Sequence, residues 1–273
     1  MNSIDINKYL RLLLDGKRDE ANKIRLNSIP NKLVKFIWLD EEDDNSNQKK
    51  FDTLESNSIW LSDIKYVNDP YEFKGFYLDE IKLKNAGFSD ELINCYRQIF
   101  DFKDIKISCL SSNNVDYLPM WVYYANNYRG FCVEYEVIKK NALYQVLYEG
   151  NRIGIANFIL EIIKEGKLSM QSNDIKVRNH LRGLLDIFMS ILYMKSDTWC
   201  HEREFRIIYH DDLERVGINK PINKLGLKIS RVICGVNCSK KHFDKINTIC
   251  NHLGLEKAYR SKLSKTKYGL EIY

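Results

Sequence analysis

The most informative stretch of the chain is Lys-Ser-Asp-Thr-Trp-Cys-His-Glu-Arg-Glu-Phe-Arg-Ile-Ile-Tyr, residues 195–209. Apolar and polar residues alternate after Glu204, which predicts a β-strand because successive side chains of a strand point to opposite faces. On this interpretation Glu202 and Glu204 share one face, roughly 6–7 Å apart, and could form a paired-carboxylate site. From the residue types alone, the alternative is a polar strand face on which Glu204 and Arg206 form a structural ion pair.

The remaining patterns predict strands in clusters, with helices inserted between them. Phe131–Val137 alternates as a strand with one wet face, and Lys240–His252 has the spacing of a helix. Asp40–Lys50 is polar and charged and reads as a surface loop. This order favours an α+β fold with a mixed or mainly antiparallel sheet core. We expect residues 1–32 to form an N-terminal helical extension and residues 33–273 a single domain.

Composition excludes several classes of protein. Over 273 residues, 44% are hydrophobic and 29% are charged, which allows a sizeable core and argues against disorder. The net charge of +5 is modest for a dedicated nucleic-acid-binding protein. The seven cysteines are scattered without zinc spacing, as free thiols of a reducing compartment would be. The N-terminus lacks the pattern of a secretory signal, and we expect a cytoplasmic protein with no membrane segment.

Three clusters of polar residues flanked by aromatic residues are the candidate functional sites. They are Asn68-Asp69-Pro70-Tyr71-Glu72, then Ser108–Ser112 running into Met120–Ala125, then Trp199–Arg206. Each lies where a loop meets a predicted strand or helix, which is where sites are usually built. The sequence has no Gly-rich loop of the kind that binds phosphate. Its histidines are isolated from one another, so we expect no metal site.

These clusters carry a resemblance to the bacterial family called domain of unknown function 2971. It runs in order over about residues 33–273, and its motifs are Trp60-Leu-Ser, Asn-Asp-Pro-Tyr-Glu72, Ile-Ser-Cys-Leu-Ser111, Met-Trp-Val-Tyr-Tyr-Ala125, Arg-Gly-Phe-Cys-Val-Glu134 and Lys195…Trp199…Glu202-Arg-Glu204…Arg206-Ile-Ile. The family label implies no reaction.

The order of elements is also similar to that of the ADP-ribosyltransferase superfamily. Those enzymes carry a basic residue on a first strand, a Ser-rich second strand and a Glu-x-Glu leading into a later strand. The counterparts here are Lys35, Ser108 or Ser111, and Glu202-Arg-Glu204. Lys35 stands where those enzymes usually carry arginine or histidine.

This second resemblance implies NAD as the substrate and a protein or nucleic acid as the acceptor of ADP-ribose, in a toxin or anti-phage effector. Glu204 would stabilise the positive charge that develops on the ribose, and Glu202 would polarise the acceptor. The resemblance implies that Lys35 or Arg206 contacts the pyrophosphate and that Trp121 or Tyr124 stacks on the nicotinamide. Asn68, Asp69, Glu72 and Trp199 are further site candidates.

Two other functions stay open on the sequence. Asp69, Glu72 and Lys74 echo the Asp…Glu-x-Lys site of metal-dependent nucleases, although the first gap is short. Alternatively, the chain is a non-catalytic binding or sensor module, in which Asn68, Asp69 and Glu72 cap a turn and residues 202–206 form a buried ion network.

Overall fold

The structure is a computed structural model, and it describes residues 4–67, 69–99, 102, 104–213 and 215–273. The strands are β1 Lys32–Ile37, β2 Ser58–Asp63, β3 Phe76–Tyr77, β4 Ile105–Ser111, β5 Phe131–Val137, β6 Leu143–Gln145, β7 Leu147–Glu149, β8 Ile153–Gly154, β9 Met194–Ser196, β10 Glu204–His210, β11 Gly217–Pro221, β12 Leu227–Cys234, β13 Ala258–Leu263 and β14 Leu270–Ile272. The helices are α1 Ile6–Leu14, α2 Arg18–Ser28, α3 Asp44–Glu55, α4 Glu80–Asn85, α5 Asp90–Ile99, α6 Leu118–Tyr124, α7 Ala156–Gln171, α8 Ile175–Met189 and α9 Lys240–His252.

Within the described residues, ten strands form one sheet in the order β11-β2-β4-β1-β5-β12-β13-β14, with β10 on β4 and β6 on β10. The pairs in this sheet are antiparallel except β12 with β13. The expected α+β fold with a mixed, mainly antiparallel sheet is therefore confirmed. Two small parallel pairs, β3 with β8 and β7 with β9, lie outside this sheet.

The sheet is split where three strands meet β4. On one edge, β10 pairs with β4 along its whole length, from Glu204 opposite Ser111 to His210 opposite Ile105. On the other edge, β2 pairs only with Lys106 and Ile107, and β1 pairs only with Ser111. Residues 108–110 therefore face a gap between β1 and β2.

Alternation along β10 divides its side chains between two cores, as the sequence predicts. Phe205 and Ile207 are fully buried in the core that also holds Phe51 and Leu54 of α3 and Ile246 of α9. On the opposite face, the partly buried Ile208 packs against the second core, which includes side chains of α1, α4, α5 and α7. A third, smaller core lies between α6 and the outer face of β1 and β5.

Several sequence expectations for local structure are wrong. Residues 40–50 are not simply a loop, because α3 begins at Asp44, with Asp43 accepting a hydrogen bond from the Ser46 amide at its N-terminus. The sequence also favours a strand over Tyr144–Tyr148, and in the structure this stretch is divided into β6 and β7. The sequence pattern does not predict β11.

The N-terminal helices lie against the rest of the chain. Helix α1 packs on α8, and α2 packs near β6, where the Arg25 guanidinium donates to the Leu143 carbonyl at 2.5 Å. Among the described residues, none of the helices has both the length and the apolar character to cross a membrane.

Candidate functional site

A cavity of about 340 Å³ opens over the gap between β1 and β2. This volume is near the lower end of the roughly 300–1,000 Å³ that is typical of small-molecule sites. Its lining includes Lys35 and most of the candidate residues from all three polar clusters: Asp69, Glu72, Ser108, Ser111, Tyr124, Trp199, Glu202 and Glu204. Residues far apart in the sequence therefore meet in one cavity.

An ion network forms one wall of the cavity. The Lys195 ammonium lies 2.7 Å from a Glu202 oxygen, 3.0 Å from Glu204 Oε2 and 3.6 Å from Glu72 Oε2. The Arg206 guanidinium donates through Nε to Glu204 Oε1 at 2.8 Å and through Nη2 to Glu72 Oε1 at 2.5 Å. Three buried carboxylates thus share two cations.

The carboxylates of this network differ in their titration. Burial would raise the pKa of Glu204, but attraction to Arg206 and Lys195 outweighs it and lowers the pKa to about 2. At Glu72, burial dominates over the same two cations, and together with repulsion by Glu204 it raises the pKa above the usual value. Glu204 is therefore the firmly ionised member of the pair.

The two cations respond in the opposite sense to their burial. Burial lowers the pKa of Lys195 and Arg206, but the surrounding carboxylates outweigh it, and both pKa values rise above their ordinary range. Both side chains are almost inaccessible to solvent, at 7% for Lys195 and 0% for Arg206. They hold Glu204 from two sides, and its orientation is fixed before any ligand binds.

A left-handed residue brings Glu202 to the same side as Glu204. The sequence predicted that Glu202 lies in the strand, and this is wrong. Glu202 instead ends a 3₁₀ turn over Asp197–Glu202, whose start is capped by Ser196. Arg203 follows with φ 48° and ψ 51°, and β10 begins only at Glu204. The shared direction of the two carboxylates is thus due to this kink and not to the two-residue period of a strand.

Hydrogen bonds from β4 and the following loop fix the turn. The Ser111 hydroxyl donates to the Glu202 carbonyl at 2.6 Å, and the Asn113 side-chain amide donates to the carbonyls of His201 and Glu202. Ser111 thereby holds the backbone of Glu202 from the last position of β4.

Tyrosine hydroxyls complete the surroundings of the two glutamates. Tyr124 donates a short hydrogen bond to Glu202 Oε1, and the Tyr148 hydroxyl accepts from the Glu204 amide at 2.8 Å. Burial, followed by the charge of Glu202, raises the pKa of Tyr124, so the hydroxyl stays protonated as a donor.

Lys35 lies across the gap from the ion network. Its ammonium donates to the Ser108 hydroxyl at 2.9 Å and to the Cys109 carbonyl at 3.1 Å. Burial lowers its pKa, although Cys109 and Glu204 act in the opposite direction. The basic residue and the serine of the Ser-rich strand are therefore in direct contact.

Two predicted ligand contacts do not line the cavity. Trp121 is 0% exposed, packs edge-on against Phe36 at 5.1 Å and donates its indole N–H to the Val115 carbonyl, so it belongs to the core and forms no stacking wall. Arg206 is also 0% exposed. Its guanidinium donates hydrogen bonds to Glu72, Glu204 and the Leu192 carbonyl, so it does not face a pyrophosphate. Tyr124 and Lys35 are the members of each predicted pair that line the cavity.

The first polar cluster forms a turn at the cavity. Asp69 Oδ1 accepts from the Tyr71 amide at 2.9 Å, whereas Oδ2 is buried and has no hydrogen-bond partner among the described residues. Asn68 lies outside the described residues. Lys74 donates to the Pro70 carbonyl and is exposed, and it does not line the cavity as Asp69 and Glu72 do.

Sequence reasoning missed two features of the cavity. Lys195 binds all three carboxylates, but its place in the sequence gives no hint of a partner in the first cluster. Trp38, just beyond β1, and Trp60, in β2, are 43% and 40% exposed and line the cavity. Large aromatic side chains with this much exposure indicate a binding surface. Their exposure cannot be predicted from the sequence alone.

Comparisons of the chain with protein-family models, with curated proteins and with solved structures gave no match.

Proposed function

We propose that this protein is an ADP-ribosyltransferase-like enzyme that consumes NAD. The observation that carries the proposal is the position of Glu204, an ionised carboxylate held by two cations in the wall of the cavity over the split sheet. Across the same cavity, Lys35 contacts Ser108. These are the residues that the resemblance to the superfamily implies.

The chemistry required is cleavage of the bond between the nicotinamide nitrogen and ribose C1′. Nicotinamide leaves with the bonding electron pair, and positive charge develops on the ribose ring. A fixed carboxylate in a water-poor site stabilises that charge without reorganising during the reaction. Glu204 has this character because its side chain is only 3% exposed and Arg206 and Lys195 keep it ionised.

The other lining residues suit the remaining parts of the substrate. In the proposed site Lys35 pairs with a phosphate of NAD, and Tyr124 or Trp199 stacks on the nicotinamide ring. Glu202 orients the nucleophile, a group of a protein or nucleic acid or a water molecule, which bonds to C1′ and transfers its proton to the Glu202 carboxylate and from there to solvent.

Release of nicotinamide from NAD tests the proposal directly. We expect the wild-type protein to release nicotinamide, and we expect Glu204→Gln to reduce the rate by on the order of a hundredfold or more, because the stabilising charge is lost. Lys35→Ala should instead weaken NAD binding, measured by calorimetry.

The matched control is Glu134→Gln. Glu134 is also a buried carboxylate, bound by Arg231 at 2.9 Å and by Lys32 at 2.9 Å, but it does not line the cavity. Its substitution should leave the rate unchanged. Failure of the wild-type protein to bind NAD, and to turn it over with protein or nucleic-acid acceptors, would refute the proposal.

One observation favours a second candidate, a non-catalytic binding module. Both oxygens of Glu204 already accept hydrogen bonds, one from Arg206 and one from Lys195. If the network only holds the fold, the cavity will bind a ligand that remains intact. Binding of NAD with no nicotinamide released under any acceptor condition would favour this function over the first.

A further inference from the structure

Away from the cavity, two carboxylates and an imidazole converge where α7 packs on α8. One oxygen each of Glu161 and Glu165 and one ring nitrogen of His180 lie within 4.8 Å of one another. The two glutamates are four residues apart on α7, which places them on one face of the helix. His180 comes from α8, so the sequence shows no metal-ligand spacing.

Glu165 is largely buried, with its side chain 11% exposed, and its one ion pair among the described residues is long. The residue is only 8% exposed, yet it accepts no hydrogen bond from any residue that the structure describes. Its nearest cation among them is Lys164, whose ammonium is 3.9 Å away on a side chain that is 62% exposed. A buried carboxylate is ordinarily hydrogen-bonded, paired at close range or bound to a metal.

His180 has the tautomer of a metal ligand. Its Nδ1 lies 3.0 Å from the Leu14 carbonyl, which can only accept, so Nδ1 carries the proton. Nε2 then keeps its lone pair free. Metal-binding histidines almost always donate their second N–H to a carbonyl or carboxylate in this way, which fixes the orientation of the ring.

We propose that Glu161, Glu165 and His180 bind a divalent transition-metal ion of the Zn²⁺ type. Imidazole together with carboxylates suits Zn²⁺ and its neighbours better than Mg²⁺ or Ca²⁺, which prefer oxygen ligands alone. Around a tetrahedral Zn²⁺ with bonds of about 2.1 Å, ligand atoms lie roughly 3.4 Å apart, so the ligand atoms, now within 4.8 Å of one another, would have to approach by up to about 1.4 Å. Water would occupy the fourth position.

The ion would join three helices. It connects α7 to α8 directly, and the His180–Leu14 hydrogen bond extends the connection to α1. Lys164 is 3.1 Å from Glu161 Oε1 and competes with the ion for the same carboxylates. Because Lys164 is largely exposed, its pairing is weak and it can swing away.

Zn²⁺ titration of the metal-free protein, followed by calorimetry and by thermal unfolding, tests this site. We expect the wild-type protein to bind Zn²⁺ and to unfold at a higher temperature when it is bound. Glu161→Gln and His180→Asn should each raise the dissociation constant tenfold or more and abolish the thermal shift. Lys164→Met should bind Zn²⁺ more tightly than the wild type.

Two features keep the experiment decisive. Glu161 is 40% exposed on its side chain, so Glu161→Gln tests the site without endangering the fold. His252→Asn is the matched control, since His252 and Glu55 form an exposed pair at 3.2 Å elsewhere on the surface. Zinc bound by the exposed thiols of Cys95 and Cys200 is common to all variants and cancels in the comparison. Equal zinc binding by the wild type, Glu161→Gln and His180→Asn, or no binding by the wild type, would overturn the proposal.

Discussion

Glu72 and Glu204 both accept hydrogen bonds from Arg206, yet their pKa values move in opposite directions. For Glu204, whose pKa falls from 4.5 to about 2 on folding, the ionised form stabilises the protein above pH 4.5. That contribution is lost as the pH falls toward 2. For Glu72, whose pKa rises on folding, ionisation instead works against the folded state.

The two glutamates should therefore respond differently to neutral substitution. At pH 7 we expect Glu204→Gln to reduce the free energy of unfolding by roughly 3–5 kcal/mol, because Arg206 and Lys195 are both buried and each loses an ionised hydrogen-bond acceptor. Glu72→Gln should cost less than about 1 kcal/mol, since the neutral amide still accepts from Arg206 and one buried charge is removed. Urea denaturation of the three proteins measures the difference.

The pH dependence provides the check on the sign. The stability difference between the wild type and Glu204→Gln should shrink as the pH is lowered from about 4.5, because the wild-type carboxylate becomes protonated on the way to its folded pKa of about 2. A difference that stays constant over this range, or equal losses in both variants at pH 7, would contradict the assignment.

At the scale of elements, the junction between the Asp197–Glu202 turn and β10 depends on one backbone conformation. Arg203 has φ 48°, and its side chain is exposed. Residues with a Cβ pay roughly 1–2 kcal/mol in this region, whereas glycine adopts it freely. Position 203 therefore carries an arginine although its positive φ favours glycine.

Substitution at Arg203 tests whether this kink sets the site. We expect Arg203→Gly to keep the free energy of unfolding within about 0.5 kcal/mol of the wild type, since relief of strain offsets the greater entropy of the unfolded chain. Arg203→Val should destabilise by more than about 1 kcal/mol, because a β-branched residue is strongly disfavoured at positive φ. Thermal unfolding compares the two variants, and a valine variant as stable as the glycine variant would mean that the kink is not required.

The elements that the sequence predicted well are those whose local pattern agrees with their burial. Strand β5 and helix α9 have the predicted bounds, Phe131–Val137 and Lys240–His252, because each alternates or repeats in step with a buried face. Helix α3 was missed because most of its residues are polar and only Asn47, Phe51 and Leu54 are buried. Its helical state depends on contacts with α9 and β2 that a local pattern does not contain.

The candidate site was predictable in its members more than in its geometry. Unusual polar residues at the ends of elements identified the clusters that line the cavity. Lys195 as the common partner of three carboxylates, and the burial of Trp121 and Arg206, depend on tertiary packing. The left-handed Arg203 also escaped prediction, because neither composition nor periodicity marks a non-glycine residue in that conformation.

At the scale of the whole molecule, the N-terminal helices supply part of a core. Ile4, Leu12 and Leu13 are buried in the same cluster as Ile155 of the α7 entry and Ile191 after α8. Each such side chain contributes roughly 1.5–3 kcal/mol when buried. Three of them amount to a large fraction of a typical free energy of unfolding, about 5–15 kcal/mol. Residues 4–32 are therefore expected to stabilise the remainder.

A protease site inserted between Pro30 and Asn31 tests this dependence. After cleavage we expect the N-terminal fragment to stay bound in size-exclusion chromatography, because α1 packs on α8 and the Arg25 guanidinium is hydrogen-bonded to the Leu143 carbonyl at 2.5 Å. The cleaved complex should unfold at a lower temperature and in a concentration-dependent manner, since the fragment now has to bind from solution. The uncleaved insertion protein is the control. If the fragment dissociates and the remainder unfolds at the control temperature, then the N-terminal helices are a dispensable extension and their buried side chains add little to the core.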